Sequence, residues 1–267
     1  MNNLSTSPAT GTNPERVFIT GASSGIGMAL AQAYLHHGAI VGLVARRSEA
    51  LQQLTTAFTT QQANFYLCDV RDAQGMQDIA KQFMMQYGVP DIVIANAGVS
   101  VGTLTQHEED ISAFKTVVDT NLFGLVHTFQ PFIHVMRERG HGQFVGIASV
   151  AGVRGLPGAG AYSASKAAAT TYLESLRTEL QHFNIAVTTI APGYIRTPMT
   201  DVNTHPMPFL MDVDVAAKKI IRAIKQRRRY VIIPWQMGIV ARLMRFIPPF
   251  LWDALTKKAP QKPGNLL

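Results

Sequence analysis

The stretch AYSASKAAAT at 161–170 holds one phenol and one ammonium, Tyr162 and Lys166, four residues apart. On a helix, positions i and i+4 lie one turn apart on the same face, so these two side chains project together. A phenol beside a cation is suited to moving a proton. Tyrosine, with a pKa of about 10, is a poor base at neutral pH. A cation within about 4–6 Å favours the phenolate and lowers that pKa by about 1–3 units. Ser149, thirteen residues upstream, adds a hydroxyl that can hold a substrate oxygen against the phenol and stabilise charge where it develops. The set fits protonation of a carbonyl oxygen, or deprotonation of an alcohol, coupled to hydride transfer at carbon. A plainer reading is a tightly packed or subunit-facing helix, because small residues surround the pair, among them Ala161, Ser163, Ala164 and Ser165. The rest of the chain decides between the two.

Such groups need a frame to hold them. Seven β-rich runs, RVFIT, IVGLVA, NFYLC, DIVIAN, QFVGIAS, IAVTTIAP and YVIIP, alternate with segments of helical length. Several are apolar on both faces, as strands covered on both sides must be. The pattern predicts an α/β fold, a single doubly wound domain of about seven mostly parallel strands with helices on both faces. A chain of 267 residues suffices for one large domain with a substantial core. Residues 1–15 read as a disordered polar leader, 16–234 as the main domain, and 235–267 as an amphipathic C-terminal extension.

Ligands of such sheets bind at the carboxyl ends of the strands. There the first run enters GASSGIG, whose Gly21, Gly25 and Gly27 permit a sharp turn and close approach of a bulky anion to a helix N-terminus. The spacing G-x-x-x-G-x-G differs from the common G-x-G-x-x-G fingerprint.

With these motifs in order, the chain from about Arg16 to about Thr200 resembles the short-chain dehydrogenase/reductase family. TGASSGIG matches the family's cofactor turn, at Gly21, Ser23, Ser24, Gly25, Ile26 and Gly27. Asp69-Val70 matches the adenine contact, Asn96-Ala97-Gly98 the end of the fourth strand, and Asn121 the helix asparagine. Ser149, Tyr162 and Lys166 match the catalytic serine and the YxxxK pair. PGYIRTPM matches the segment along the nicotinamide, with Pro192, Gly193, Ile195 and Thr197. The resemblance implies a Rossmann-like catalytic domain with Ser149, Tyr162, Lys166 and Asn121 as its catalytic set. In that family the asparagine kinks its helix and holds a water linking the lysine to solvent. The resemblance also implies a homodimer or homotetramer pairing through the two long helices beside the site.

An NAD-dependent member would carry an acidic residue where the second run ends. Ala45 stands there instead, followed by Arg46 and Arg47 as partners for a 2′-phosphate. The expected cofactor is therefore NADP(H) rather than NAD(H), although Ser24 holds a place where many NADP-dependent relatives carry Lys or Arg. The segment at about 198–212 corresponds in position to the family's substrate lid. Its Met199, Met207, Phe209, Leu210 and Met211 either face a small hydrophobic ketone or secondary alcohol, or pack into the core.

The net charge of +7 concentrates in the C-terminal part. KQRRR at 225–229 comes without stacking aromatics or a reading helix, so no nucleic-acid partner is expected. No histidine cluster has metal-ligand spacing, and no metal is expected. The single cysteine, Cys68, reads as a buried strand thiol. The leader resembles neither a secretory signal nor a transit peptide, which makes the cytoplasm the default location. A helix from Gln236 to Ile247 would group Met237, Val240, Leu243, Met244 and Ile247 on one side and Arg242 and Arg245 on the other. Residues 235–258 would then cover the cleft, contact another subunit or touch a membrane peripherally. A catalytically silent dinucleotide-binding scaffold or sensor is the alternative function, and the intact proton-moving set argues against it.

Overall fold

Each of the seven apolar runs forms a strand in the computed structural model, which describes residues 13–203 and 206–257. Most of the expected leader, positions 204 and 205 of the expected lid, and residues 258–267 of the extension lie outside the described residues. The strands are β1 (Arg16–Thr20), β2 (Ile40–Ala45), β3 (Ala63–Leu67), β4 (Ile92–Ala95), β5 (Gly142–Ile147), β6 (Ile185–Pro192) and β7 (Tyr230–Ile233). All pair in parallel in the order β3-β2-β1-β4-β5-β6-β7. The direction of winding reverses between β1 and β4, and a ligand crevice opens where this occurs in such sheets.

Ten α-helices connect and flank the strands: α1 (Gly25–His36), α2 (Ser48–Thr55), α3 (Ala73–Tyr87), α4 (Asp110–Val118), α5 (Gly124–Arg139), α6 (Gly160–Leu180), α7 (Pro198–Asp201), α8 (Val213–Lys225), α9 (Trp235–Phe246) and α10 (Pro249–Thr256). One core layer joins the sheet to α1, α2 and α8 through Leu30, Leu35, Leu51, Ile220 and Ile224. The other joins it to α3, α5 and α6 through Phe83, Phe129, Phe132 and Leu173. Phe18 anchors that second layer, with the Phe83 ring edge-on at 5.4 Å and the Phe132 ring at 4.9 Å. The sheet is thus covered on both sides, which is why its strands are apolar on both faces.

Two local features position the site. Helices α4 and α5 run on through a π-helical turn at Asp119–Phe123, the wider turn that often marks a functional position in a helix. Asn121 sits in that turn, 1% exposed. Helix α6, 21 residues long, buries Lys166 and Ala169 against the sheet, Ser163 against the Leu156 amide and Ser165 against Asn121.

The C-terminal helix forms where the sequence places it, but not with the expected faces. Met237 and Ala241 are buried, with Val240 half-buried beside them, against Val150 and Val153. Leu243, expected on that inner side, is 63% exposed. Trp235, Ile239, Leu243 and Phe246 share the opposite side, because spacings of four, four and three residues keep them within one stripe. Helix α9 is therefore apolar on two sides, and its inner side rests on the turn after Ser149 and on Ile232 of β7. The expected lid also divides. Met211 packs on the core, Phe209 is exposed, and Met199 borders the cleft described next.

Candidate active site

A cleft of about 270 Å³ opens at the carboxyl ends of the strands, and every expected site residue except Gly27 and Asn121 lines it. It extends from Arg46, Arg47 and Asp69 at one end to Ser149, Tyr162 and Pro192 at the other.

The glycine turn forms the floor. Gly21 has φ +68°, and a Cβ there would lie 2.7 Å from the Ala97 Cα, so only glycine fits without a backbone shift. A Cβ on Gly27 would fall 2.3 Å from the Gly21 carbonyl oxygen, so this residue serves the packing of α1 on the turn rather than the cleft wall. Asn96 donates from Nδ2 to the carbonyl oxygens of Thr20 and Gly21, both at 3.1 Å, and ties the end of β4 to that turn. Ser24 precedes α1 with no side-chain cap on the helix, so the first N–H groups of α1 face the turn uncapped. A glycine-rich turn with small side chains, free N–H groups and nearby guanidinium groups together fit a dinucleotide with an anionic centre.

The two arginines after β2 do not act alike. Arg47 reaches back over the turn, and its Nη2 donates to Ser23 Oγ and Ser24 Oγ, each at 3.2 Å. The sequence places Arg46 foremost, whereas Arg46 leans to Asp69 at 3.9 Å with most of its side chain in solvent. Asp69 itself is held by Arg71, which donates from Nη2 at 2.7 Å. That bond, more than any other cause, pulls the Asp69 carboxyl below its ordinary range. Sequence reasoning missed Arg71, although its place two residues after Asp69 is a visible signal. Cys68 is half-buried at the cleft edge rather than fully enclosed, and burial pushes its thiol up to about 11. The thiolate is suppressed there.

At the other end Ser149 follows β5 and Tyr162 begins α6; the Ser149 hydroxyl accepts from Ala151 N at 3.1 Å and donates to the Pro192 carbonyl oxygen at 3.5 Å. Burial raises the Tyr162 phenol above its ordinary value, and the nearby Ser149 hydroxyl works the other way. Lys166 is 4% exposed, and its Nζ donates to the Ile147 carbonyl oxygen at 2.8 Å. Burial depresses its ammonium to about 8. Desolvation acts on both groups and opposes charge on each, working against the lowering of the phenol expected from a neighbouring cation.

Asn121 lies behind this pair. Its Nδ2 donates to Val99 O and Ser165 Oγ, both at 3.0 Å, and its Oδ1 accepts from Val99 N at 2.8 Å. Ser165 in turn donates to the Tyr162 carbonyl oxygen at 2.9 Å. A Cβ on Gly98 would stand 3.1 Å from Asn121 Oδ1 and 3.5 Å from Lys166 Nζ, so the amide oxygen and the ammonium flank the same glycine. Among the described residues no group of three or more His, Cys, Asp or Glu side chains stands together.

The described residues of the C-terminal extension pack behind the site without lining the cleft. Arg154, on the loop after Ser149, donates to the carbonyl oxygens of Met244 and Ile247 at 2.9 and 2.7 Å and lies over the Trp252 ring. Met237 fills the space in front of Gly193 so closely that a Cβ there would meet its Cγ at 2.6 Å.

Comparison with known proteins agrees with this geometry. The model of the short chain dehydrogenase family matches residues 15–207. An uncharacterised oxidoreductase of Myxococcus xanthus is 35% identical over 245 residues, covering 90% of this chain and 95% of its own. Dehydrogenase/reductase SDR family member 7B of Bos taurus is 30% identical over 266 residues, covering 92% and 81%. Among solved structures, a short-chain dehydrogenase from Streptomyces avermitilis superposes with TM-score 0.76 at 25% identity, over 94% of this chain and all of that one.

Proposed function

This chain belongs to the short-chain dehydrogenase family of oxidoreductases, and from that premise we propose that it moves hydride between NADP(H) and a hydrophobic ketone or secondary alcohol, with Tyr162 as general acid/base. One observation carries the reading: Ser149, Tyr162 and Lys166 converge at one end of a cleft whose other end holds a glycine-rich turn and two arginines.

Nicotinamide bound beside Tyr162 supplies or accepts the hydride at carbon. The protein supplies the proton. Tyr162 gives its phenolic hydrogen to a carbonyl oxygen on reduction and takes it back from the alcohol on oxidation. Ser149, beside the phenol, orients that oxygen and offsets its developing charge. Lys166 restores the phenol's proton and, when charged, favours the phenolate. The Asn121 amide and Gly98 border a path by which Lys166 exchanges its own proton. The turn at Gly21, Ser23, Ser24, Gly25 and Ile26 holds the pyrophosphate, and Asp69 and Val70 border the adenine. Asn96, Ala97, Gly98, Pro192, Gly193, Ile195 and Thr197 flank the nicotinamide half.

NADP(H) is preferred over NAD(H) because Ala45 offers no carboxylate to a 2′-hydroxyl, while Arg47 stands over the turn in a polar setting that suits a 2′-phosphate. The hydrophobic substrate is inferred from Met199 at the cleft and Met237 against Gly193. A homodimer or homotetramer paired through α5 and α6 is part of the same reading. Purified protein with NADPH and a panel of hydrophobic ketones, followed by nicotinamide absorbance, tests it. Consumption dependent on Tyr162 is expected, and a protein that binds NADPH but reduces none of the panel overturns it.

A further inference from the structure

Seven of the sixteen exposed large hydrophobic side chains among the described residues fall within α9 and α10. On α9 they are Trp235, Ile239, Leu243 and Phe246, a stripe opposite the buried Met237 and Ala241. Beyond the Pro248-Pro249 corner, Phe250 and Leu255 extend the apolar surface, while Trp252 turns inward and donates to the Gly155 carbonyl oxygen. Phe246 and Phe250 are 83% and 76% exposed, so the corner presents two nearly bare rings. A contiguous apolar surface of this kind on a folded domain marks an interaction site.

The charge around it narrows the partner. Between 218 and 257 the chain carries ten Lys and Arg and one acid, Asp253, an excess larger than the +7 of the whole protein. Arg242 and Arg245 are exposed on α9 itself, and Arg245 acts electrostatically on the Tyr230 phenol at the head of β7. Two-fold contact of this face with a second copy would set like charges against one another, because an isologous interface places one patch against itself. An anionic surface meets both features, taking the rings into its apolar layer and the guanidinium groups among its headgroups.

We infer that α9 and α10 form a docking surface for an anionic lipid membrane. The attachment is peripheral, since among the described residues no helix is long and apolar enough to cross a membrane. Arg154 sets the angle of the surface by holding the carbonyl end of α9. Since the inner side of α9 rests on Val150 and Met237 rests on Gly193, the helix that enters the interface also backs Gly193 in the cleft wall.

The test uses the full chain with phosphatidylcholine vesicles with and without phosphatidylserine. Sedimentation with the anionic vesicles at low salt and release by added salt are expected. Phe246→Ser with Phe250→Ser, and separately Arg242→Gln with Arg245→Gln, should each weaken partitioning roughly tenfold or more. The four substituted positions lie outside the cleft, so NADPH binding by the variants checks their fold and reads the cofactor proposal separately. A wild-type protein that stays in the supernatant overturns the inference, as does binding that ignores phosphatidylserine. Loss of an oligomer in Phe246→Ser with Phe250→Ser, without vesicle binding by the wild type, would assign the face to a second copy instead.

Discussion

Lys166 Nζ lies 5.9 Å from the centroid of the Tyr162 ring, while its hydrogen bond goes to the Ile147 carbonyl oxygen at the end of β5. The ammonium is thus held beneath the phenol by the sheet rather than by the phenol itself. Burial depresses Lys166 and raises Tyr162, so the pair begins with its proton on the phenol and a lysine ready to lose its own. That is the arrangement of a proton donor with a resupply behind it.

The first prediction concerns the donor. Tyr162→Phe should lower kcat by roughly 10²–10⁴-fold, the usual contribution of a positioned general acid, with NADPH binding unchanged. Ser149→Ala keeps the phenol but removes the hydroxyl that orients the substrate oxygen, so it should lower kcat less. Steady-state kinetics and NADPH titration measure both, and a Tyr162→Phe enzyme as fast as the wild type would remove Tyr162 from the reaction.

Lys166 should also leave a mark on stability. Its folded pKa of about 8 lies below the ordinary 10.5, so between these values the unfolded chain holds more protons and stability from this group rises with pH. Below about pH 8 the cost of burying the charge is fully present. Lys166→Met escapes that cost, so its Tm relative to the wild type should fall as pH goes from 8 to 10. The change should be roughly 1–3 kcal/mol in stability. Melting both proteins without cofactor across that range measures the difference, and a gap independent of pH would place the lysine in contact with water.

Much of this was legible beforehand, and the limits have physical causes. The strands showed themselves because a parallel sheet covered on both faces demands unbroken apolar runs, and Tyr162 with Lys166 because helical spacing is fixed. The direction of Arg47 was not legible. Arg46 and Arg47 are neighbours in sequence, and only the turn closing beneath them makes Arg47 reach Ser23 and Ser24 while Arg46 goes to Asp69. Leu243 failed for a related reason. A helix that is apolar on two sides carries no sign of which side is inward until its docking surface, the Val150–Gly152 turn, is in place.

The arginines therefore separate experimentally. Arg47→Gln should raise KM for NADPH about tenfold or more, the scale of one lost charge-assisted hydrogen bond, and leave KM for NADH within about twofold. Arg46→Gln should have the smaller effect, because its side chain is mostly in solvent and its partner Asp69 keeps Arg71. Equal losses for NADPH and NADH in Arg47→Gln would mean that the residue only braces the turn.

Arg154 links the loop after the catalytic serine to the end of α9, so its loss should reach both stability and chemistry. Its Nη1 serves two carbonyl oxygens that have no further turn of helix to accept from, and its guanidinium lies 4.8 Å from the Trp252 centroid. Arg154→Ala leaves those carbonyls to water and frees Trp252, which should lower stability by about 1–3 kcal/mol. Arg154→Lys keeps the charge and one nitrogen able to donate to both oxygens but loses the guanidinium plane over Trp252, so it should recover only part of the loss. Because the loop carrying Arg154 continues directly from Ser149, KM for the ketone should rise more than KM for NADPH in Arg154→Ala. Thermal melts and substrate titrations of the two variants check this, and a variant that melts early with both KM values unchanged would confine Arg154 to holding the extension in place.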